Sequence, residues 1–213
     1  MAWRRRTTIH RASGALVCGA VLLVGTVSGV PAQQPIRPVP LTPFGDGQDS
    51  VLMENLTYRV GTTSHVIVVP AGFVTDFAST PRAIWSVLPP TGRYQQAAIV
   101  HDFLYWDQGC TREQADALLR VAMAESKVDP GQRDIIWSAV RSFGSSAWTA
   151  NARAKADGQM RIIPASGLPI PALVTWAEYR VTLRATGVGP DATPTAPPAY
   201  CVAAELVNLD APE

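Results

Sequence analysis

Apolar positions change spacing twice along the chain, and the changes predict its elements. From residue 51 to 75 they follow a two-residue period. Leu56-Thr57-Tyr58-Arg59-Val60 alternates, Gly61-Thr62-Thr63-Ser64 reads as a turn, and His65-Val66-Ile67-Val68-Val69 is β-branched and apolar. That pattern predicts a β-hairpin closed by Pro70-Ala71-Gly72. His65 falls where the second strand starts, the place of a solvated turn residue. Pro89-Pro90-Thr91-Gly92 then breaks the chain.

Beyond the break the spacing becomes helical. A first helix is expected over 93–106, with Ala97, Ala98, His101 and Tyr105 on one side and Asp102 with Trp106 on the adjacent stripe. Small Ala97 and Ala98 let another helix approach closely. Asp107-Gln108-Gly109-Cys110 is a turn, and Thr111 with Gln114 forms a capping box that starts a second helix. Its buried face is Ala115, Leu118, Leu119 and Ala122, with Asp116 beside it. Asp129-Pro130 supplies an N-cap and a first-turn proline for a third helix. The inner face expected there is Ile135, Ile136, Ala139, Val140 and Phe143, followed by Gly144, with a kinked continuation over 145–154. Thr80-Pro81 is expected to open a short helix over 82–88, and a further short helix is expected over 174–183. The fold class is therefore α+β: a small β-hairpin packed on a core of about three helices, with proline-rich flanks.

The flanks set the domain boundaries. Residues 1–32 combine Arg4, Arg5 and Arg6, an apolar run over 15–27, and Val30-Pro31-Ala32 before Gln33. This is the pattern of an export signal cleaved after Ala32. Uncleaved, residues 12–30 would be a membrane anchor. Residues 33–49 hold four prolines and two glycines and read as a linker. The globular core is expected over 50–155, and 156–213 as an irregular, proline-rich extension that includes a linker-like run over 189–198. The domain is expected to be exported, into the periplasm, the envelope or the medium.

The chain has 18 Lys and Arg against 17 Asp and Glu. Removing residues 1–32 takes away four arginines and no acid, which leaves a slightly acidic chain. No basic stripe exists, so nucleic acid is not expected as a partner. Outside the cytoplasm Cys110 and Cys201 can pair or stay as thiols, and the sequence leaves both open.

The chemistry concentrates at His101, Asp102 and Asp116. His101 can draw a proton from water. Asp116, on an antiparallel neighbour, can bond the second imidazole nitrogen and set the tautomer. Tyr105, one turn after His101, can orient the same carboxylate. Asp102 faces about 100° away and can hold a hard cation such as calcium. Asp76, between Phe73 and Phe77, either pairs with an arginine such as Arg82 or Arg93 or joins the His101 site. Zinc lacks a spaced cysteine or histidine set. An HD-type phosphohydrolase would need a further upstream histidine, and only His65 and His10 are available.

Two resemblances follow from these residues. His101-Asp102, Tyr105 and Ala115-Asp116 resemble the HD-x-x-Y…A-D pattern of phospholipase A2 proteins, particularly the compact viral capsid type. That likeness implies acyl-ester hydrolysis, with His101 as base, Asp116 and Tyr105 in support, and calcium on Asp102. The glycine-rich calcium loop of that family is missing upstream, where Leu88-Pro89-Pro90-Thr91-Gly92-Arg93-Tyr94 stands. A longer likeness covers about 68–148: Val69-Pro70-Ala71-Gly72-Phe73-Val74-Thr75-Asp76-Phe77, Leu88-Pro89-Pro90, Gly92-Arg93-Tyr94, Ala97 to Tyr105 and Ala115-Asp116. With Ala78-Ser79-Thr80-Pro81-Arg82 continuing the first of these runs, it resembles the family catalogued as domain of unknown function 1353, found in bacteria and tailed phages, and it implies that Asp76 belongs to the family pattern. Lipid or another envelope component is the expected partner. The rival expectation is a non-catalytic binding or structural module, with Trp85, Trp106, Trp137 and Trp148 in its core or contacts.

Overall fold

A computed structural model describes residues 36–77 and 92–207. The export signal expected over 1–32, the helix expected over 82–88, Trp85 and His10 lie outside the described residues. The fold is α+β, with two small antiparallel sheets and a mainly helical core.

The expected hairpin is β3 (Leu56–Arg59) paired with β4 (Val66–Val69), in the register Leu56↔Val69 and Tyr58↔Ile67. Its alternation separates the faces: Leu56, Tyr58, Ile67 and Val69 point inward, while Thr57, Arg59 and Val68 face out. A second sheet, in the order β1-β2-β5, is built from β1 (Leu41–Pro43), β2 (Ser50–Leu52) and β5 (Val74–Thr75). The expected linker 33–49 therefore contributes a strand, and Ile36 and Phe44 in it are buried. Two apolar side chains with somewhere to bury outweigh the proline content around them.

The helices are α1 (Gln95–Asp107), α2 (Arg112–Glu125), α3 (Pro130–Ala156) and α4 (Trp176–Ala185). In α1 the ten consecutive residues from Ala97 to Trp106 are all buried. A helix apolar on every side belongs in the middle of a core, and α1 is packed by α2, α3 and the strands β4 and β5. The α2 capping box forms as expected, with Thr111 accepting from the Gln114 N–H and Gln114 accepting from the Thr111 N–H. Asp129 caps α3 through the Gln132 N–H, with Pro130 in the first turn.

The inner face of α3 is narrower than expected. Ile136, Val140 and Gly144 are buried, but Ile135 is 52% and Phe143 65% exposed. Two adjacent stripes of α3 are apolar, and the buried one carries Gly144, where a Cβ would overlap the Tyr105 hydroxyl. The helix also runs as one element to Ala156.

The extension 156–213 is not irregular throughout. Its Ile162 bridges Phe73, and Val74 N–H donates to the Arg161 carbonyl, so the chain returns to the free edge of β5. Gly72 makes this possible: at φ +85° it accepts from the Ile163 N–H, and a Cβ would meet the Ile163 carbonyl. Trp176, Tyr179 and Leu183 of α4 then form a second core cluster with Phe44, Val51 and Val74. Asp191, inside the expected linker run, accepts from Trp106 Nε1 at 2.8 Å and from the Arg161 N–H at 2.6 Å. Cys110 and Cys201 are joined by a disulfide, with their Cα atoms 5.2 Å apart. It ties the turn after α1 to a 3-10 segment, Ala199–Leu206. No helix among the described residues is long and apolar enough to cross a membrane.

Candidate functional site

His101 and Tyr105 lie one turn apart on α1, and Asp116 lies in the first half of α2. The tight turn and the capping box set where α2 begins, and that register aims Asp116 at the His101–Tyr105 face. His101 Nε2 and Asp116 Oδ1 are 3.0 Å apart, and the Tyr105 hydroxyl donates to the same oxygen at 2.6 Å. The two rings also pack, with centroids 4.1 Å apart. His101 is 1% exposed and Asp116 fully buried. The structure thus brings together three of the residues singled out from the sequence.

The second carboxylate oxygen is held by two arginines. Arg112 Nη1 donates to Asp116 Oδ2 at 3.2 Å and Arg141 Nη1 at 3.3 Å. Arg112 also bonds the Arg141 carbonyl, and both arginines meet Glu113 on the outer side. Burial alone would push the Asp116 carboxyl up. Hydrogen bonds from His101 and Tyr105, with the charges of His101 and Arg112, outweigh it and hold the group below its usual range. Burial and the bond to Asp116 push the Tyr105 hydroxyl far up, so it stays a donor.

An ionised Asp116 can only accept, so His101 Nε2 carries the proton of their hydrogen bond and Nδ1 is the nitrogen left for other chemistry. Among the described residues Nδ1 has no hydrogen-bond partner. The arrangement is a histidine whose orientation and tautomer are set by a buried carboxylate, which is in turn charge-balanced by two arginines.

Asp102 and Asp76 stand apart from this pair. Asp102 is fully buried, and its Oδ2 accepts from the Thr75 hydroxyl at 2.5 Å, tying α1 to β5. Asp76 forms an ion pair with Arg161 at 3.2 Å. That arginine comes from the extension; Arg82, one of the two arginines the sequence suggested, lies outside the described residues. Calcium takes six to eight oxygen ligands. Among the described residues no group of three or more His, Cys, Asp or Glu side chains could hold a metal ion, and a hydroxyl already donates to Asp102. The described donor set does not fit calcium at Asp102.

Sequence reasoning missed Arg112, Arg141, Thr75 and Gly144. Arg112 had a signal, since it precedes Asp116 by one helical turn. Arg141 and Gly144 had none, because their contacts depend on how α3 crosses α1 and α2.

Residues 50–140 match the family model described as Protein of unknown function (DUF1353). Over that stretch the chain is similar to the DUF1353 family. The longer of the two resemblances is thereby borne out. Thr75, Asp76, His101, Asp102, Tyr105, Arg112 and Asp116 all fall inside the DUF1353 match, whereas Arg141, Gly144 and Arg161 lie beyond it. No curated protein and no solved structure matches the chain. The phospholipase A2 likeness therefore rests on its few residues alone.

Proposed function

We propose that this chain is an exported hydrolase in which His101, within the stretch similar to DUF1353, acts as general base, with acyl esters as its substrate class. The observation that carries this reading is the His101–Asp116 pair, with Nε2 engaged at 3.0 Å and Nδ1 without a partner among the described residues. Nδ1 takes a proton from water as the water oxygen attacks the ester carbonyl. The tetrahedral intermediate then collapses, and the leaving alkoxide takes that proton back from the imidazolium. Asp116 keeps the ring oriented and stabilises its charged form, and Tyr105, Arg112 and Arg141 keep Asp116 ionised. No step is assigned to calcium. The Cys110–Cys201 disulfide supports an oxidising compartment, as export would provide.

One observation favours a second reading. His101 is almost wholly buried, as suits a non-catalytic envelope module in which the network only holds α1 against α2 and α3. Hydrolysis of short-chain p-nitrophenyl esters and of mixed phospholipid micelles by the full chain separates the two. It is run beside His101→Ala, with calcium and with chelator, each protein checked by circular dichroism. Release of acid that disappears in folded His101→Ala supports the hydrolase. No release from any ester by folded wild type removes it and leaves the module.

A further inference from the structure

A cavity of about 680 Å³ lies apart from the His101 network, where the start of α1 meets the chain just after α2. That volume is in the range of small-molecule sites. Arg37, Arg93 and Lys127 line it, and among the described residues no carboxylate does. Arg93 spends one N–H on the Lys127 carbonyl at 3.2 Å. Among the described residues neither Arg37 nor Arg93 has an acidic partner. Two guanidinium groups beside one concavity, with no acid among the described residues to balance them, favour an anion there.

Two further features face the same space. The first turn of α1 has no side-chain cap and no acidic residue, and although the Gln95 N–H donates to the Gly92 carbonyl, the positive dipole end of the helix lies beside Gln96, which lines the cavity. Ser126, only 9% exposed, also lines it, and its hydroxyl is buried without a hydrogen-bond partner. A desolvated hydroxyl left unpaired is costly, and an acceptor oxygen entering the cavity removes that cost.

We infer that this cavity binds a phosphate monoester with an apolar body. A phosphate dianion offers three acceptor oxygens, which suits forked arginine donors, a hydroxyl and a helix N-terminus better than a carboxylate does. Ile36 and Pro38 give an apolar wall for the body of the ligand. The inference is independent of the role of His101.

Calorimetric titration of the full chain tests it, with inorganic phosphate, hexyl phosphate and hexanol as probes. Hexyl phosphate is expected to bind more tightly than phosphate, and hexanol not at all. Arg37→Ala should weaken hexyl phosphate about tenfold or more, as loss of a charge-assisted bond implies. Ser126→Ala should weaken it about threefold or more by the loss of one hydroxyl donor. Arg153→Ala, on the exposed side of α3, should change nothing. Phosphatidic acid vesicles that compete with hexyl phosphate mark a lipid headgroup as the source of the ligand. Vesicles that do not compete mark a free phosphate ester, and either result keeps the site. Failure of folded wild type to bind hexyl phosphate overturns the inference. So does equal weakening by Arg153→Ala, unchanged binding in both cavity variants, or binding to vesicles alone.

Discussion

Replacing Asp116 by alanine removes one acceptor from four donors at once. His101 Nε2 and the Tyr105 hydroxyl are buried, and each would lose its partner at about 1–3 kcal/mol. Arg112 and Arg141 are partly solvated, so their share is discounted to under about 1 kcal/mol. The expected loss is about 3–5 kcal/mol, the range for breaking a buried charge pair from one side. Asp134→Ala is the control. Its ion pair with Arg120 is exposed, and its loss should cost under about 1 kcal/mol. Urea unfolding at pH 7, extrapolated to water, measures both. The pH dependence gives a second readout. The Asp116 carboxyl is held below its unfolded value of 3.8, so its contribution is complete above that pH and is lost as pH falls further. The gap between wild type and Asp116→Ala should therefore shrink below about pH 4. An Asp116→Ala cost within about 1 kcal/mol of the control would show that the network does not hold the core together.

Asp49 should behave in the opposite sense. Burial first, then the charge of Asp76, pushes its carboxyl up to about 6, so its stabilising contribution is present below pH 4 and lost as pH rises through 6. Asp49→Asn should raise stability at pH 7 by about 1 kcal/mol after discounting for solvent, with the gain vanishing at pH 4 in the same unfolding assay. Gly144→Ala should lower the thermal midpoint, because the added methyl overlaps the Tyr105 hydroxyl. Overpacking of about 1–3 kcal/mol outweighs the usual gain of about 0.5–1 kcal/mol for Gly→Ala inside a helix. Cys201→Ser opens a link across 91 residues and should cost about 3–5 kcal/mol in urea, and reductant should then have no further effect on that variant.

Local chemistry made several features legible in the sequence. The capping box at Thr111 and Gln114, the Asp129-Pro130 helix start and the alternation in the hairpin act over a few residues, so they read directly. His101, Tyr105 and Asp116 were also legible, because helical spacing and a tight turn leave their side chains little choice but to meet. The linker-like flanks were misread. Proline content describes a chain's local stiffness, not whether Phe44 or Trp176 finds an apolar surface to cover. The Arg161 partner of Asp76 was not legible either, since it lies 85 positions further along the chain.

The sequence by itself determined where helices and the hairpin begin and which side chains could form a histidine–carboxylate pair, because those outcomes depend on neighbours within a turn or two. Only the tertiary structure decided that α1 is buried on all sides from Ala97 to Trp106, His101 and Asp102 included. It also chose the Ile136–Val140–Gly144 stripe of α3 over the one bearing Ile135 and Phe143, and that choice brings Arg141 to Asp116. Both stripes have helical periodicity. The buried stripe is the one that carries Gly144, whose close contact with the Tyr105 hydroxyl exists only once α3 lies against α1.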